Sequence, residues 1–108
     1  MKQFKKGEVW VVDLGMAAKI RPCLIISKIP NIEDRAIITI IPHTTSIRNS
    51  NYEIYSNESF LQKGAFDAQN IVTIPYTTLI RKIGNINQKT LSKVESKICD
   101  WLDIKNTE

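Results

Sequence analysis

Two β-rich runs stand so close together in this chain that they can pair in only one sense. Residues 23–29 and 35–41 are dense in Ile, and only the turn Pro30-Asn31-Ile32-Glu33-Asp34 lies between them. A parallel pairing needs a crossover of about a dozen residues or more, which this interval cannot hold. An antiparallel hairpin is therefore predicted. Its open end is polar. Arg21-Pro22 stands where the first run starts, and His43-Thr44-Thr45-Ser46 follows Pro42, where the second run ends. Antiparallel neighbours bring the start of one strand beside the end of the next, so Arg21 is expected at one rim with His43, Thr44 and Thr45. Pro22 cannot donate to a ladder and belongs at a strand start or edge. It also holds Arg21 out of the helical region.

The flanking sequence extends the same pattern. Lys6-Gly7-Glu8 leads into a first strand over residues 9–14, ended by Gly15. Trp10 and Val12 alternate with Val9 and Val11, so both faces are apolar, as expected of a strand covered on two sides. Residues 16–20 read as a short loop. Residues 46–51 read as a polar loop, 52–55 as a short strand, and 56–64 as a polar connection anchored by Phe60 and Leu61. Residues 65–74 lead into another strand closed by Pro75, and 79–84 supply the last. The period then changes. Asn87 is placed to cap a helix. Leu91, Val94, Ile98 and Trp101 or Leu102 recur at helical spacing, with Lys89, Lys93 and Lys97 on the wet side. About five or six short strands with hairpin-like links and one terminal helix predict a mainly β fold, a small antiparallel barrel with a C-terminal helix.

The 108 residues are expected to form one domain across the whole chain. A hydrophobic share of 43% is high for so short a chain and suggests that a second subunit covers part of it. No apolar run approaches the roughly 20 residues of a membrane span. Residues 9–14 are too short and too punctuated for a signal peptide, so a cytoplasmic location without membrane contact is expected. The two cysteines, Cys23 and Cys99, lack CxxC spacing and fit small buried apolar groups. Fifteen Lys and Arg against eleven Asp and Glu give a net charge of +4, which suits nucleic acid or an acidic protein partner. The excess gathers at Lys2, Lys5 and Lys6 and at Arg81 and Lys82, either facing phosphates or as plain solvated surface.

Arg21 offers a rigid fork that matches two phosphate oxygens. Its pKa above about 12 makes it unfit as a base, and its natural role is to stabilise charge building on a phosphorane. A solvent-facing strand-edge arginine fits the same pattern. His43, the only histidine, titrates near neutrality unaided. At a rim it can move a proton to or from a ribose hydroxyl or a leaving oxygen; an ordinary polar residue after a strand is the other reading. Thr44, Thr45 and Ser46 can donate hydrogen bonds to phosphate. Asp67, Gln69 and Asn70 can read base edges, with Phe66 or Tyr76 stacking on a base, or satisfy backbone groups in a bend. Trp10 and Trp101 read as core or interface. No HExxH, EF-hand, P-loop or glycine-rich dinucleotide signature occurs. Asp13, Glu33, Asp34, Glu53 and Glu58 lie in separate segments without metal-ligand spacing, which argues against a two-metal nuclease. Neither a metal nor a cofactor is expected.

Five stretches in order carry a resemblance. They are residues 6–14 (KGEVWVVDL), 21–27 (RPCLIIS), 42–46 (PHTTS), 69–74 (QNIVTI) and 79–84 (LIRKIG), followed by the terminal helix. Together they resemble the MazF/PemK family, the toxin halves of toxin–antitoxin pairs, over about residues 6–103. The resemblance implies an SH3-like barrel of the CcdB/PemK type, a homodimer, and a sequence-specific endoribonuclease (an mRNA interferase) that cuts single-stranded RNA without a metal. The ribose 2′-hydroxyl would attack the adjacent phosphate, leaving a 2′,3′-cyclic phosphate and a 5′-hydroxyl. It also implies a cognate antitoxin whose disordered, often acidic tail blocks the RNA site. The family's catalytic arginine, just before proline, falls on Arg21, and its catalytic threonine falls on Thr44. The chain departs from the family in two places. The loop before Arg-Pro is shorter than in many members. If Asn70 stands for the family's glutamine, Gln69 holds the place of an aspartate used by some members, and His43 becomes the local candidate for proton transfer.

The expected site is therefore Arg21, Thr44 and His43 for catalysis, with Thr45, Ser46, Asp67, Gln69, Asn70 and Arg81 for substrate. A non-catalytic relative binding a protein such as DNA gyrase, as the related CcdB fold does, or a small RNA-binding module also fits the charge. The pairing of Arg21 with Thr44 favours the nuclease.

Overall fold

The computed structural model describes residues 3–15 and 19–105. β1 (Glu8–Asp13), β2 (Ile20–Ile25) and β3 (Ile37–Thr44) are followed by β4 (Glu53–Tyr55), β5 (Ala65–Asp67), β6 (Val72–Pro75), a 3-10 turn (Tyr76–Thr78), β7 (Leu79–Asn85) and α1 (Gln88–Trp101). The predicted hairpin is present, with Cys23 paired to Pro42, Leu24 to Ile41 and Ile25 to Ile40. The strands lie in the order β4-β5-β3-β2-β1-β7, with β6 also on β3. Asn87 caps α1, its Oδ1 accepting from the Thr90 N–H at 2.8 Å.

The sheet does not close into the expected SH3-like barrel. Closure would need β7 to pair with β6 or β4, and the hydrogen-bonded path instead ends at β7 on one side and β4 on the other. Pro75 and the 3-10 turn break the extended chain between β6 and β7. The β4 edge meets α1, and a helix covers an edge without pairing it. Two register shifts between β1 and β7, at Val9/Trp10 and Val11/Val12, bend the sheet without joining its ends.

Strand limits also differ from expectation at both prolines. β2 begins at Ile20, so Arg21 and Pro22 lie inside it, paired to Val12 and Val11 of β1. Pairing with β3 starts only at Cys23, the residue after Pro22, which has no N–H to give to a ladder. β3 runs on through Pro42 to Thr44. β5 and β6 follow one another along β3 and form an interrupted strand. From the His43–Phe66 pair to the Ile40–Val72 pair, β3 moves three residues while its partner moves six. Pro42 sits at this interruption, where that edge has no ladder bond for its nitrogen to lose. Residues 68–71 form the outward bend.

Alternation along β1, β2 and β3 builds a core on each side. Trp10, Val12, Cys23, Ile25, Ile38, Ile40 and Leu79 pack with Phe4 and Ile74 in the first. Val9, Leu24, Ile41, Ile54, Phe66, Ile86 and Val94 of α1 form the second, flanked by Leu91 and Ile98. The two-sided covering predicted for β1 follows from this. Trp10 is core, while Trp101 is 44% exposed and leans on Tyr52 at 5.4 Å between ring centroids. Cys23 is buried and Cys99 half-buried. Among the described residues, no helix is long and apolar enough to cross a membrane.

Candidate active site

The rim is built from the start of β2 and the end of β3. Pairing of β2 with β3 stops at Cys23–Pro42; continued two residues further, the same register would set Arg21 opposite Thr44. Opposed residues of an antiparallel pair point to the same side. Arg21 alternates with Cys23 and Ile25, and Thr44 with Pro42 and Ile40, so both belong to the side of the first core. Arg21 is exposed and Thr44 half-buried. Thr44 Oγ1 accepts from the Ser46 N–H at 3.0 Å, a local turn bond. The opposite contact, from Thr44 Oγ1 to the Ser46 carbonyl, spans 3.5 Å, too long to hold the hydroxyl proton firmly. The hydroxyl is thus fixed as an acceptor within the protein and can donate outward. Thr45 and Ser46 are exposed beside it.

His43 points the other way. It alternates with Thr44, is 4% exposed, and meets Phe66 edge-on at 5.2 Å between ring centroids. Gly64 lies so close that a Cβ there would stand 2.8 Å from His43 Cε1. Nε2 finds no hydrogen-bond partner among the described residues. Burial holds the imidazole pKa below its usual 6.5, so the ring is neutral at pH 7. Alternation thus turns Arg21 and Thr44 to the side of the first core and His43 to the other.

The expected substrate residues are spread more widely. Ala65 is the β5 residue beside Thr44, so Asp67 starts two residues below the rim. Asp67 Oδ1 accepts from the Gln69 N–H at 3.1 Å and its carbonyl from the Asn70 N–H at 3.2 Å. These bonds shape the bend between β5 and β6 and leave the Gln69 and Asn70 side chains exposed. Arg81 pairs with Val11 while Arg21 pairs with Val12, so the two arginines flank β1 and alternate onto opposite sides. Part of the basic excess is used internally. Lys82 pairs with Glu8 Oε2 at 3.2 Å, and Lys6 pairs with Glu95 of α1. Lys2 of the N-terminal group and residues 16–18 of the loop before Arg21 lie outside the described residues. Among those described, no group of three or more His, Cys, Asp or Glu is placed to hold a metal.

Sequence reasoning passed over Glu53, weighing it only as a metal ligand. It is 9% exposed. Its carboxylate accepts the Arg48 N–H at 2.9 and 3.2 Å and the Ser50 N–H at 3.0 Å. The Arg48 backbone bond, followed by other loop amides, draws its pKa below 4.5. The Ser50–Glu53 spacing was the available signal. Ser50 N–H donates to the Glu53 side chain while Glu53 N–H donates to the Ser50 carbonyl at 3.2 Å, a reciprocity like that of a capping box.

The family described as PemK-like, MazF-like toxin of type II toxin–antitoxin system matches residues 5–102, and the chain belongs to it. No curated protein matches it in sequence. Several solved structures share the fold. An endoribonuclease in complex with its cognate antitoxin from Mycobacterial species superposes with a TM-score of 0.82 at 23% identity, covering 97% of this chain and 100% of that one. A chain of MazE–MazF from Deinococcus radiodurans gives 0.82 at 13% identity over 97% and 100%. The Mycobacterium tuberculosis toxin MazF-mt6 gives 0.78 at 23% identity over 92% and 99%. At these identities the likeness is one of fold.

Proposed function

We propose that this chain is an endoribonuclease toxin that cuts single-stranded RNA at a specific sequence without a metal. This reading is supported by the family of the chain and by a β2–β3 register that, continued two residues past Cys23–Pro42, would set Arg21 opposite Thr44. The 2′-oxygen of a ribose attacks the adjacent phosphorus as its proton passes to solvent. The bond from phosphorus to O5′ breaks, and O5′ takes up a proton. The products are a 2′,3′-cyclic phosphate and a 5′-hydroxyl. Arg21 pairs with the non-bridging oxygens as their charge grows, and Thr44 donates from its outward hydroxyl. His43, neutral and buried behind Thr44, serves by packing and exchanges no proton with RNA. Thr45 and Ser46 flank the scissile phosphate, while Gln69, Asn70, Asp67 and Arg81 meet RNA further from it. We propose one domain over residues 1–108 that acts in the cytoplasm as a homodimer, held in check by a cognate antitoxin.

The test is incubation of the purified protein with a long single-stranded RNA in EDTA, beside Arg21→Ala, with mapping of the ends. Discrete cuts carrying 5′-hydroxyl ends, lost in the variant, are expected. Intact RNA across varied sequences, with growth still arrested on expression, would overturn the reading in favour of a protein target.

A further inference from the structure

The loop that leaves Thr44 is pinned along its length by side chains. Thr44 Oγ1 holds the Ser46 amide. Glu53 holds the amides of Arg48 and Ser50. Ser50 Oγ accepts from the Tyr52 N–H at 3.1 Å. Asn49, in the left-handed region at φ 60°, has its Oδ1 at 3.4 Å from the Tyr55 hydroxyl. A buried carboxylate gathering backbone amides has no structural use for its charge except to fix that backbone, because charge-assisted bonds of this kind are the strong ones. The side chains of Thr45, Ser46, Arg48 and Asn49 remain exposed on the fixed loop. These donors and acceptors suit the edges of unstacked bases.

We infer that Glu53 is a positioning residue that holds residues 45–51 as a base-reading edge beside Thr44 and thereby sets which RNA sequence is cut. This rests on the ribonuclease reading above. Its charge keeps the loop in one shape, and one shape accepts one set of bases.

The variants are Glu53→Gln, which keeps the size but loses the charge, and Arg48→Ala, which changes an exposed side chain of the same loop and leaves the clamp in place. Cut sites are mapped on one long single-stranded RNA, with KM and kcat measured on the best site and thermal melting recorded for each protein. Glu53→Gln should widen the set of cut sequences and raise KM by about tenfold, the equivalent of one well-placed polar contact, with kcat changed less. Arg48→Ala should shift preference at the same sequence positions. Unchanged cut sites in both variants, with wild-type RNA cleavage intact, would overturn this inference alone. If Glu53→Gln does not fold, Arg48→Ala decides it. A wild-type protein that cuts no RNA would instead overturn the ribonuclease reading and this inference with it.

Discussion

Thr44 and His43 are neighbours on β3 with opposite surroundings. Thr44 stands half-buried at the rim, its hydroxyl bonded inward to the Ser46 amide, on the side that Arg21 shares. His43 is enclosed by Phe66 and Gly64, with Nε2 unpaired among the described residues. By chemical type alone His43 is the better proton carrier. Strand alternation overrides type, because a step of one residue along a strand moves a side chain from one face to the other. Which polar group faces the rim is therefore a matter of where the strand ends. β3 ends after Thr44, so the period-two rule still governs both residues.

The largest effect should come from the Thr44 side. Arg21→Ala should lower RNA cleavage by about 10²–10³-fold, the usual cost of losing one preorganised donor to a developing oxyanion. Its thermal melting, recorded alongside, should still show a cooperative folded protein, so that the loss reads as chemistry and not as unfolding. Activity within a few-fold of wild type would break the contrast by removing the rim's main charge from the chemistry. Next in size is a change that strikes both faces together. A Cβ on Gly64 would lie 2.2 Å from the Thr44 carbonyl oxygen and 2.8 Å from His43 Cε1. The first contact is with backbone and cannot swing aside. Gly64→Ala should therefore destabilise the fold by about 1–3 kcal/mol, read by denaturant melting, and lower cleavage further by shifting the end of β3. Wild-type stability would show that β3 moves freely at this point.

Much of this arrangement was legible from residues whose signals are local. The antiparallel sense of the hairpin and the Asn87 cap of α1 were read from local residues, although residues 26–36 join β2 to β3 where a five-residue turn was expected. The errors have physical reasons. Pro42 looked like a strand stop because a missing N–H normally costs a ladder bond. It is tolerated because the edge facing β5 and β6 is interrupted there, a fact of pairing that no local pattern carries. The open sheet was equally hidden, since closure depends on whether β7 meets β6 or β4 across the molecule. Glu53 went unread because its partners are backbone amides, and a backbone amide leaves no mark on composition.

The smallest effects belong to His43 and sharpen the comparison most. His43→Phe removes a buried nitrogen without a partner and keeps an aromatic ring against Phe66. An unsatisfied buried polar atom costs about 1–3 kcal/mol, and Phe is larger than His, so a net gain of about 1 kcal/mol is expected, with cleavage within about threefold of wild type. A loss of about 10²-fold or more, the usual worth of a general acid or base, would return His43 to the chemistry. The pH dependence of stability gives an independent check. The folded imidazole has its pKa below 6.5, so between that lowered value and 6.5 the unfolded chain binds more protons than the native one. The stabilising contribution of keeping His43 neutral is complete above about pH 6.5 and is lost as the pH falls through that window. Glu8 and Glu53, whose pKa values lie below 4.5, lose their contributions only at more acid pH. Wild-type stability should therefore show a first stage of loss that begins below about pH 6.5, and His43→Phe should abolish that stage while leaving the loss that Glu8 and Glu53 cause at more acid pH. A first stage that persists in the variant would mean that some other group titrates there, and that the neutral ring behind Thr44 does not set it.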